Sequence, residues 1–299
     1  MILITEFMDE AWVDWLRDRT DVVYRPDLPD HPADLRTAAA GAAAIIVRNR
    51  TQVRGALLDA GFGTVGRLGV GLDNIDLDGC AARGIEVIPA TGANTLSVAE
   101  YVVTTAAVLL RGAYQMRAEM EAGAWPRGAA GQGREIAGKV LGLWGYGAIA
   151  RRTAQLGRAL GMSVLAFDPY ADGFDGAEPV DRDALLARAD VLSLHVPLTP
   201  ETRGAVDAAT LAAMRPGAVL VNAARGGVVD EDAVCAALRS GRLGGAALDC
   251  FADEPLSEGG RFAGVPNLIL TPHVAGVTTE ANARVSEMIA RAVADRLGL

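Results

Sequence analysis

A glycine-rich turn set between two apolar runs limits what this chain can fold into. An apolar run at 140–144 leads into Gly145-Tyr-Gly147-Ala-Ile-Ala150. An apolar-striped stretch follows (Ile149, Ala150, Thr153, Ala154, Leu160), then a second run at 163–167 closed by Asp168. This order reads as strand, turn, helix, strand, the context a dinucleotide-binding fingerprint requires. Gly145 permits the tight turn, Gly147 lets the backbone approach a pyrophosphate, and Ala150 is small enough for close helix–strand packing. The helix opened by Ala148 and Ile149 turns free N–H groups and a positive dipole end toward phosphate. A carboxylate at Asp168 can accept from ribose hydroxyls and would repel a 2′-phosphate, so NAD rather than NADP is expected. A ligand-free βα turn would share the glycines, but not the strand context together with the terminal Asp.

The same alternation runs along the chain. Strands are predicted at 2–5, 22–24, 44–47, 64–67 and 86–88, then at 140–144, 164–167, 191–194, 218–221, 246–248 and 268–270. Nearly continuous apolar strands alternating with helices imply parallel sheets covered on both faces. The expected class is therefore α/β, with two doubly wound parallel-sheet domains. A helical stretch from 97 to about 112 is expected to bridge the two sets. Residues 279–297 read as a helix with apolar positions Val285, Met288, Ile289, Val293 and Leu297 and no strand after it. It should return to the first domain, giving a discontinuous domain of 1–94 and 277–299 and a second domain of 95–276. The Gly/Ala/Arg-rich stretch 123–134 reads as an exposed arm.

A net charge of −9 and a pI near 4.9 argue against nucleic acid or an anionic membrane as partner. No apolar run is long enough for a transmembrane helix, and the chain opens directly into a strand without a targeting pattern, so a cytoplasmic protein is expected. Cys80, Cys235 and Cys250 are odd in number and lack metal-ligand spacing; reduced thiols and no metal are expected.

In open parallel sheets ligands sit beyond the carboxyl ends of the strands, and three polar signals of the second domain fall there. Arg225 follows a strand in Asn222-Ala-Ala-Arg225-Gly-Gly, Glu254 lies just beyond Asp249, and His273 follows the last strand in Thr271-Pro-His273-Val-Ala-Gly276. Moving a hydride from a 2-hydroxy acid needs a base for the hydroxyl proton, which an imidazole near neutral pKa suits. A neighbouring carboxylate orients that imidazole, and a planar Arg fork binds the acid group. His273 is thus the candidate acid/base, Glu254 its partner and Arg225 the substrate clamp; each taken alone could be a turn or surface residue. His31 reads as a surface turn. His195 ends a strand and could line the nicotinamide side, but shows no carboxylate to orient it.

In the first domain Gly69-Val70-Gly71 follows a strand and can form an anion nest of backbone N–H groups. Arg48 and Arg50, spaced i and i+2 in extended chain, share one face and could bind a second anionic group, or could be a solvated basic pair. Asn94 could orient substrate oxygens or cap the helix that follows it.

Over essentially its full length the chain closely resembles the D-isomer-specific 2-hydroxyacid dehydrogenase family. The matching segments are 69–76, Asn94 with 98–100, 142–150, 168–170, 195–199, 222–227, Asp249 with Glu254-Pro255, and Pro272-His273 with Gly276. The resemblance implies a homodimer, each subunit pairing a flavodoxin-like substrate domain with a Rossmann domain that binds NAD. It implies Arg225, Glu254 and His273 as the catalytic set and a small 2-hydroxy or 2-oxo acid as substrate. It also implies that Ala223, Asp249 and Gly276 join Gly145, Gly147, Ala148, Ile149 and Asp168, with Arg225 and His273, around the cofactor. Arg48-Asn-Arg50 and 66–69 look like phosphoglycerate dehydrogenases; 4–9, 47–51, 67–74, 147–151 and 273–278 look more like (S)-sulfolactate dehydrogenases. Cys250 departs from the pattern, standing where a branched aliphatic is commoner. The expected activity is oxidation of (S)-sulfolactate to sulfopyruvate. D-3-phosphoglycerate oxidation, glyoxylate or hydroxypyruvate reduction, and a non-catalytic NAD(H) sensor are the alternatives.

Overall fold

The computed structural model describes residues 1–299 apart from the side chain of Gln115. Its chain divides into two compact units, Met1–Asn94 with Val277–Leu299, and Thr95–Gly276.

The first unit carries strands β1 (Ile2–Ile4), β2 (Val22–Tyr24), β3 (Ala44–Val47), β4 (Thr64–Arg67) and β5 (Glu86–Pro89). They form one parallel sheet in the order β2-β1-β3-β4-β5, the flavodoxin-like arrangement. Side chains alternate across it, as the strand period of two requires. Ile2, Ile4 and Ile46 pack with Val13 and Leu16 of the helix Glu10–Arg17 and with Val285, Ile289 and Val293 of the helix Thr279–Leu297. Leu3, Ile45, Val47 and Val65 pack on the other face with Leu35, Leu57 and Leu58. Burying each such side chain is worth about 1.5–3 kcal/mol. The C-terminal helix lies so close to β4 that a Cβ on Gly66 would meet Ile289 Cγ2 at 2.7 Å. A glycine inside a strand is here a packing requirement. Thr278 caps the helix by accepting from the Ala281 N–H (3.0 Å). Met288, read from the sequence as part of the apolar stripe, is exposed.

The second unit carries β6 (Val140–Trp144), β7 (Ser163–Phe167), β8 (Glu178–Pro179), β9 (Val191–Leu194), β10 (Ala218–Asn222), β11 (Leu243–Leu248) and β12 (Leu268–Leu270). The parallel sheet runs β12-β11-β10-β9-β6-β7-β8, so the chain reverses its direction of sheet growth between β6 and β9. That is the Rossmann order with one strand added. Leu141, Leu143, Val219 and Val221 face the helices Thr95–Arg111 and Ala148–Ala159. Leu192, Leu194 and Leu220 face Leu185, Leu211 and Val234 from helices on the opposite side. The helix expected as a bridge, Thr95–Arg111, therefore packs in the core of this unit through Val102, Ala106, Leu109 and Leu110. Strand β8 escapes the apolar pattern because both its residues are exposed. Leu160 is exposed at the end of its helix, where Gly157 takes the buried position instead. The stretch 123–134 is largely exposed, yet it holds a short helix, Arg127–Ala130, and Arg134 donates to the Gly217 carbonyl (2.6 Å).

Candidate active site

In the second unit every strand points the same way, so the turns that follow β6, β7, β9, β10, β11 and β12 lie along one sheet edge. The reversal point falls between β6 and β9, where a doubly wound sheet opens a crevice. Gly145 sits there in the left-handed region (φ +93°), and a Cβ on it would meet the His195 carbonyl oxygen at 2.5 Å. Only glycine fits. Gly147 differs: a Cβ there would find nothing within 4 Å, so the space above the helix Ala148–Ala159 is open to a ligand. Asp168 leaves the end of β7 and ties back to the glycine turn. Its Oδ2 accepts from the Tyr146 N–H (2.7 Å) and its Oδ1 from the Tyr170 N–H (2.9 Å). Each oxygen keeps a lone pair for a ribose hydroxyl. Open space at Gly147, an uncapped helix start with Ala148 and Ile149 in its first turn, and a fixed carboxylate together fit a dinucleotide.

The loops after β10, β11 and β12 carry the candidate reactive groups. Asn222, fully buried, donates through Nδ2 to the Arg225 carbonyl (3.0 Å) and accepts from the Ala224 N–H (3.1 Å), holding Ala223 and Arg225 in a closed turn. Gly226 follows because a Cβ there would strike the Phe251 backbone at 1.9 Å. Asp249 is buried at the end of β11 and organises the neighbouring loop. Its Oδ1 accepts from Thr271 Oγ1 (2.6 Å) and the Val274 N–H (2.8 Å), and its Oδ2 from the Ala275 N–H (2.9 Å). Inside this frame His273 adopts a left-handed backbone (φ 56°), its N–H donating to the Asp249 carbonyl (2.8 Å). Such a conformation costs a non-glycine residue about 1–3 kcal/mol, so its surroundings must over-determine it. Gly276 closes the loop in a turn.

His273 Nδ1 lies 2.7 Å from Glu254 Oε2, and Glu254 Oε1 accepts from the Phe251 N–H (2.9 Å). Burial would raise the Glu254 carboxyl, but the bonds from His273 and Phe251, with the Arg225 charge, outweigh it and hold it below the usual carboxylate range. Buried Glu231 steadies the same loop by accepting from the Ala252 N–H (2.7 Å). The imidazole thus has one nitrogen fixed by a carboxylate and its ring partly exposed, the arrangement of an oriented acid/base. His195 is unlike it. Its Nε2 meets Ser193 Oγ at 3.0 Å, and burial pushes its pKa down to about 4, so the ring is neutral near pH 7.

The first unit corrects one expectation. The chain leaves extended geometry after Val47, so Arg48 and Arg50 do not share a strand face. The reason is Glu6, a buried residue that the sequence pattern did not single out. Its carboxylate accepts from the N–H groups of Arg48 (2.7 Å), Thr51 (2.9 Å) and Arg50 (3.0 Å), curling the loop around itself. Arg48 is lodged against Asn282 Oδ1 (2.9 Å), whereas Arg50 pairs with exposed Asp30. In the nest, Gly69 donates its N–H to the Arg67 carbonyl (2.7 Å), which leaves Val70 and Gly71 to supply donors. Asn94 Oδ1 is buried with no hydrogen-bond partner among the described residues, so it does not cap the helix that follows.

The family model "D-isomer specific 2-hydroxyacid dehydrogenase, NAD binding domain" matches residues 103–275. An (S)-sulfolactate dehydrogenase of Chromohalobacter salexigens is 49% identical, covering 100% of this chain and 98% of its own. The chloroplastic D-3-phosphoglycerate dehydrogenase 2 of Arabidopsis thaliana is 39% identical over 99% of this chain, which spans only 48% of that longer protein. Among solved structures, a Staphylococcus aureus NAD-dependent formate dehydrogenase in complex with NAD superposes with a TM-score of 0.87 at 26% identity, over 99% of this chain and 96% of its own. A dinucleotide turn, a carboxylate-oriented imidazole and an adjacent arginine on one sheet edge agree with these likenesses. On both grounds the chain belongs to the D-isomer-specific 2-hydroxyacid dehydrogenases, NAD-dependent oxidoreductases.

Proposed function

We propose that this enzyme oxidises a D-configured, doubly anionic 2-hydroxy acid, (S)-sulfolactate, to its 2-oxo acid, sulfopyruvate. The observation that carries the chemistry is the 2.7 Å contact between His273 Nδ1 and Glu254 Oε2. With Nδ1–H bound to that carboxylate, Nε2 is the free acceptor for the C2 hydroxyl proton, and Glu254 stabilises the imidazolium that results. Arg225 is assigned to the substrate carboxylate through its planar fork; in the first unit the N–H groups of Val70 and Gly71 are assigned as anion donors. NAD, when bound, would supply the hydride acceptor for C2. Gly145, Gly147, Ala148 and Ile149 are assigned to its pyrophosphate, Asp168 to its ribose, and Ala223 and Gly276 to its nicotinamide end. Asp249 acts by positioning the loop of His273.

The substrate is supported by the full-length likeness to the Chromohalobacter salexigens sulfolactate dehydrogenase. The hand is consistent: the sulfonate-bearing carbon outranks the carboxylate in naming priority, so (S)-sulfolactate has the spatial arrangement of D-lactate. Arg48 is assigned to the sulfonate, with Asn94 orienting substrate oxygens; Arg50, paired with Asp30, has the lesser part. Initial-rate NADH formation with (S)-sulfolactate and D-3-phosphoglycerate in parallel is the test. Turnover preferring the sulfonate is expected, and a preference for the phosphate would replace the substrate. Arg48→Ala should lower kcat/KM on the sulfonate about 10- to 100-fold, the loss of one charge-assisted contact, with little change on D-lactate. Equal losses on both would remove Arg48 from that role.

The working form proposed is a cytoplasmic homodimer. Tyr114, Met120 and Trp125 are exposed close together in sequence, an apolar surface a second copy would cover. Cys80 and Cys235 are buried thiols outside any disulfide, and among the described residues no helix is long and apolar enough to cross a membrane.

A further inference from the structure

We propose that the acid–base pair doubles as part of an inhibitory site for a soft divalent cation, Zn2+ foremost, completed by Cys250. The Cys250 Sγ, a Glu254 carboxylate oxygen and a His273 ring nitrogen all lie within 4.8 Å of one another. Thiolate, carboxylate and imidazole are the three ligand types zinc favours, and three protein ligands leave a fourth position for water. Zinc bonds of about 2.0–2.3 Å place tetrahedral donors roughly 3.3–3.8 Å apart, so the sulfur must close in by about an ångström. A turn about the Cys250 Cα–Cβ bond supplies a movement of that size. The ion enters from the side of the partly exposed His273 and Glu254, while Cys250 waits beneath them.

Binding releases the thiol proton and the proton of Nδ1 to solvent and places the metal between His273 and Glu254. The imidazole then loses the carboxylate that orients it, and hydride transfer stops for want of a base. The nearby Arg225 charge repels a cation and weakens the site, which suits reversible inhibition rather than a resident metal. Spacing alone hides it, since the three ligands come from two loops joined only by the sheet edge.

The inhibitory half rests on the acid–base reading of His273; the binding half does not. The test uses the metal-stripped full-length protein. Titration with Co2+ should give one thiolate-to-cobalt charge-transfer band per chain, abolished by Zn2+, and buffered micromolar Zn2+ should suppress NADH formation. Cys250→Val and Cys250→Ala should both lose the band, keep metal-free turnover, and need at least about tenfold more Zn2+ for the same inhibition. No band in the parent protein, or equal Zn2+ inhibition of parent and both variants, overturns the site. A band lost in both variants, with turnover indifferent to Zn2+, keeps the site and overturns the acid–base role of His273 instead.

Discussion

His273, the proposed acid/base, is oriented by its backbone and by its neighbours together. A left-handed backbone aims its ring at Glu254, and the loop is clamped by the two carboxylate oxygens of Asp249. The ionised Glu254, held below the usual carboxylate range, is what selects the tautomer with Nε2 unprotonated. His195 is the contrasting case, and its burial has a measurable consequence. Its folded pKa near 4 lies below the unfolded value of about 6.5, so between those values the unfolded chain binds more protons. Stability from this group is complete above about pH 6.5 and is lost as the pH falls toward 4, by an upper bound of roughly 3 kcal/mol. His195→Gln should flatten that acid limb in thermal melts recorded from pH 7 to 4.5. An unchanged limb would show that His195 is accessible to protons in the folded state. Candidates such as His273, Arg225 and Asp168 were readable in sequence because each follows an apolar run at a strand end. Glu6, Asn222 and Glu231 were not, because buried polar residues carry no periodic signature and their partners lie in other segments.

At the scale of elements, the helix Thr95–Arg111 does more than cover the sheet. Thr271 Oγ1 donates its proton to Asp249, so it must accept from the Tyr101 hydroxyl, 2.7 Å away. Burial pushes the Tyr101 pKa up to about 12, which keeps it a donor at any working pH. Tyr101 is thereby a positioning residue: helix to Thr271, Thr271 to Asp249, Asp249 to the loop of His273. Tyr101→Phe should lower stability by about 1 kcal/mol and kcat several-fold, with the KM for NAD unchanged and the acid limb of the kcat–pH profile displaced. A loss of stability alone, with the profile in place, would reduce Tyr101 to packing. The strand positions followed from apolar runs and the C-terminal helix from its spacing. The Arg48–Arg50 loop misled because an i, i+2 argument assumes extended chain, which the Glu6 carboxylate denies.

For the whole molecule, the long-range order of both sheets follows from a few rules acting on local signals. Parallel strands joined by helices make right-handed crossovers, and the glycine turn marks the strand from which the second sheet grows both ways. Trp125→Glu places a charge in the exposed apolar segment; under the proposed homodimer it should shift the protein from dimer to monomer in size exclusion with light scattering, while NAD binding persists. A native-sized dimer would put the interface elsewhere. Apolar periodicity and glycine placement were enough to specify the α/β class, the strands and the dinucleotide turn, since those depend on neighbours a few residues away. The bend that separates Arg48 from Arg50, the chain from Tyr101 to Asp249 and the Cys250–Glu254–His273 cluster were settled by folding alone. Each is made by groups from separate segments, and buried hydrogen bonds between such segments are chosen by which polar atoms packing leaves facing one another.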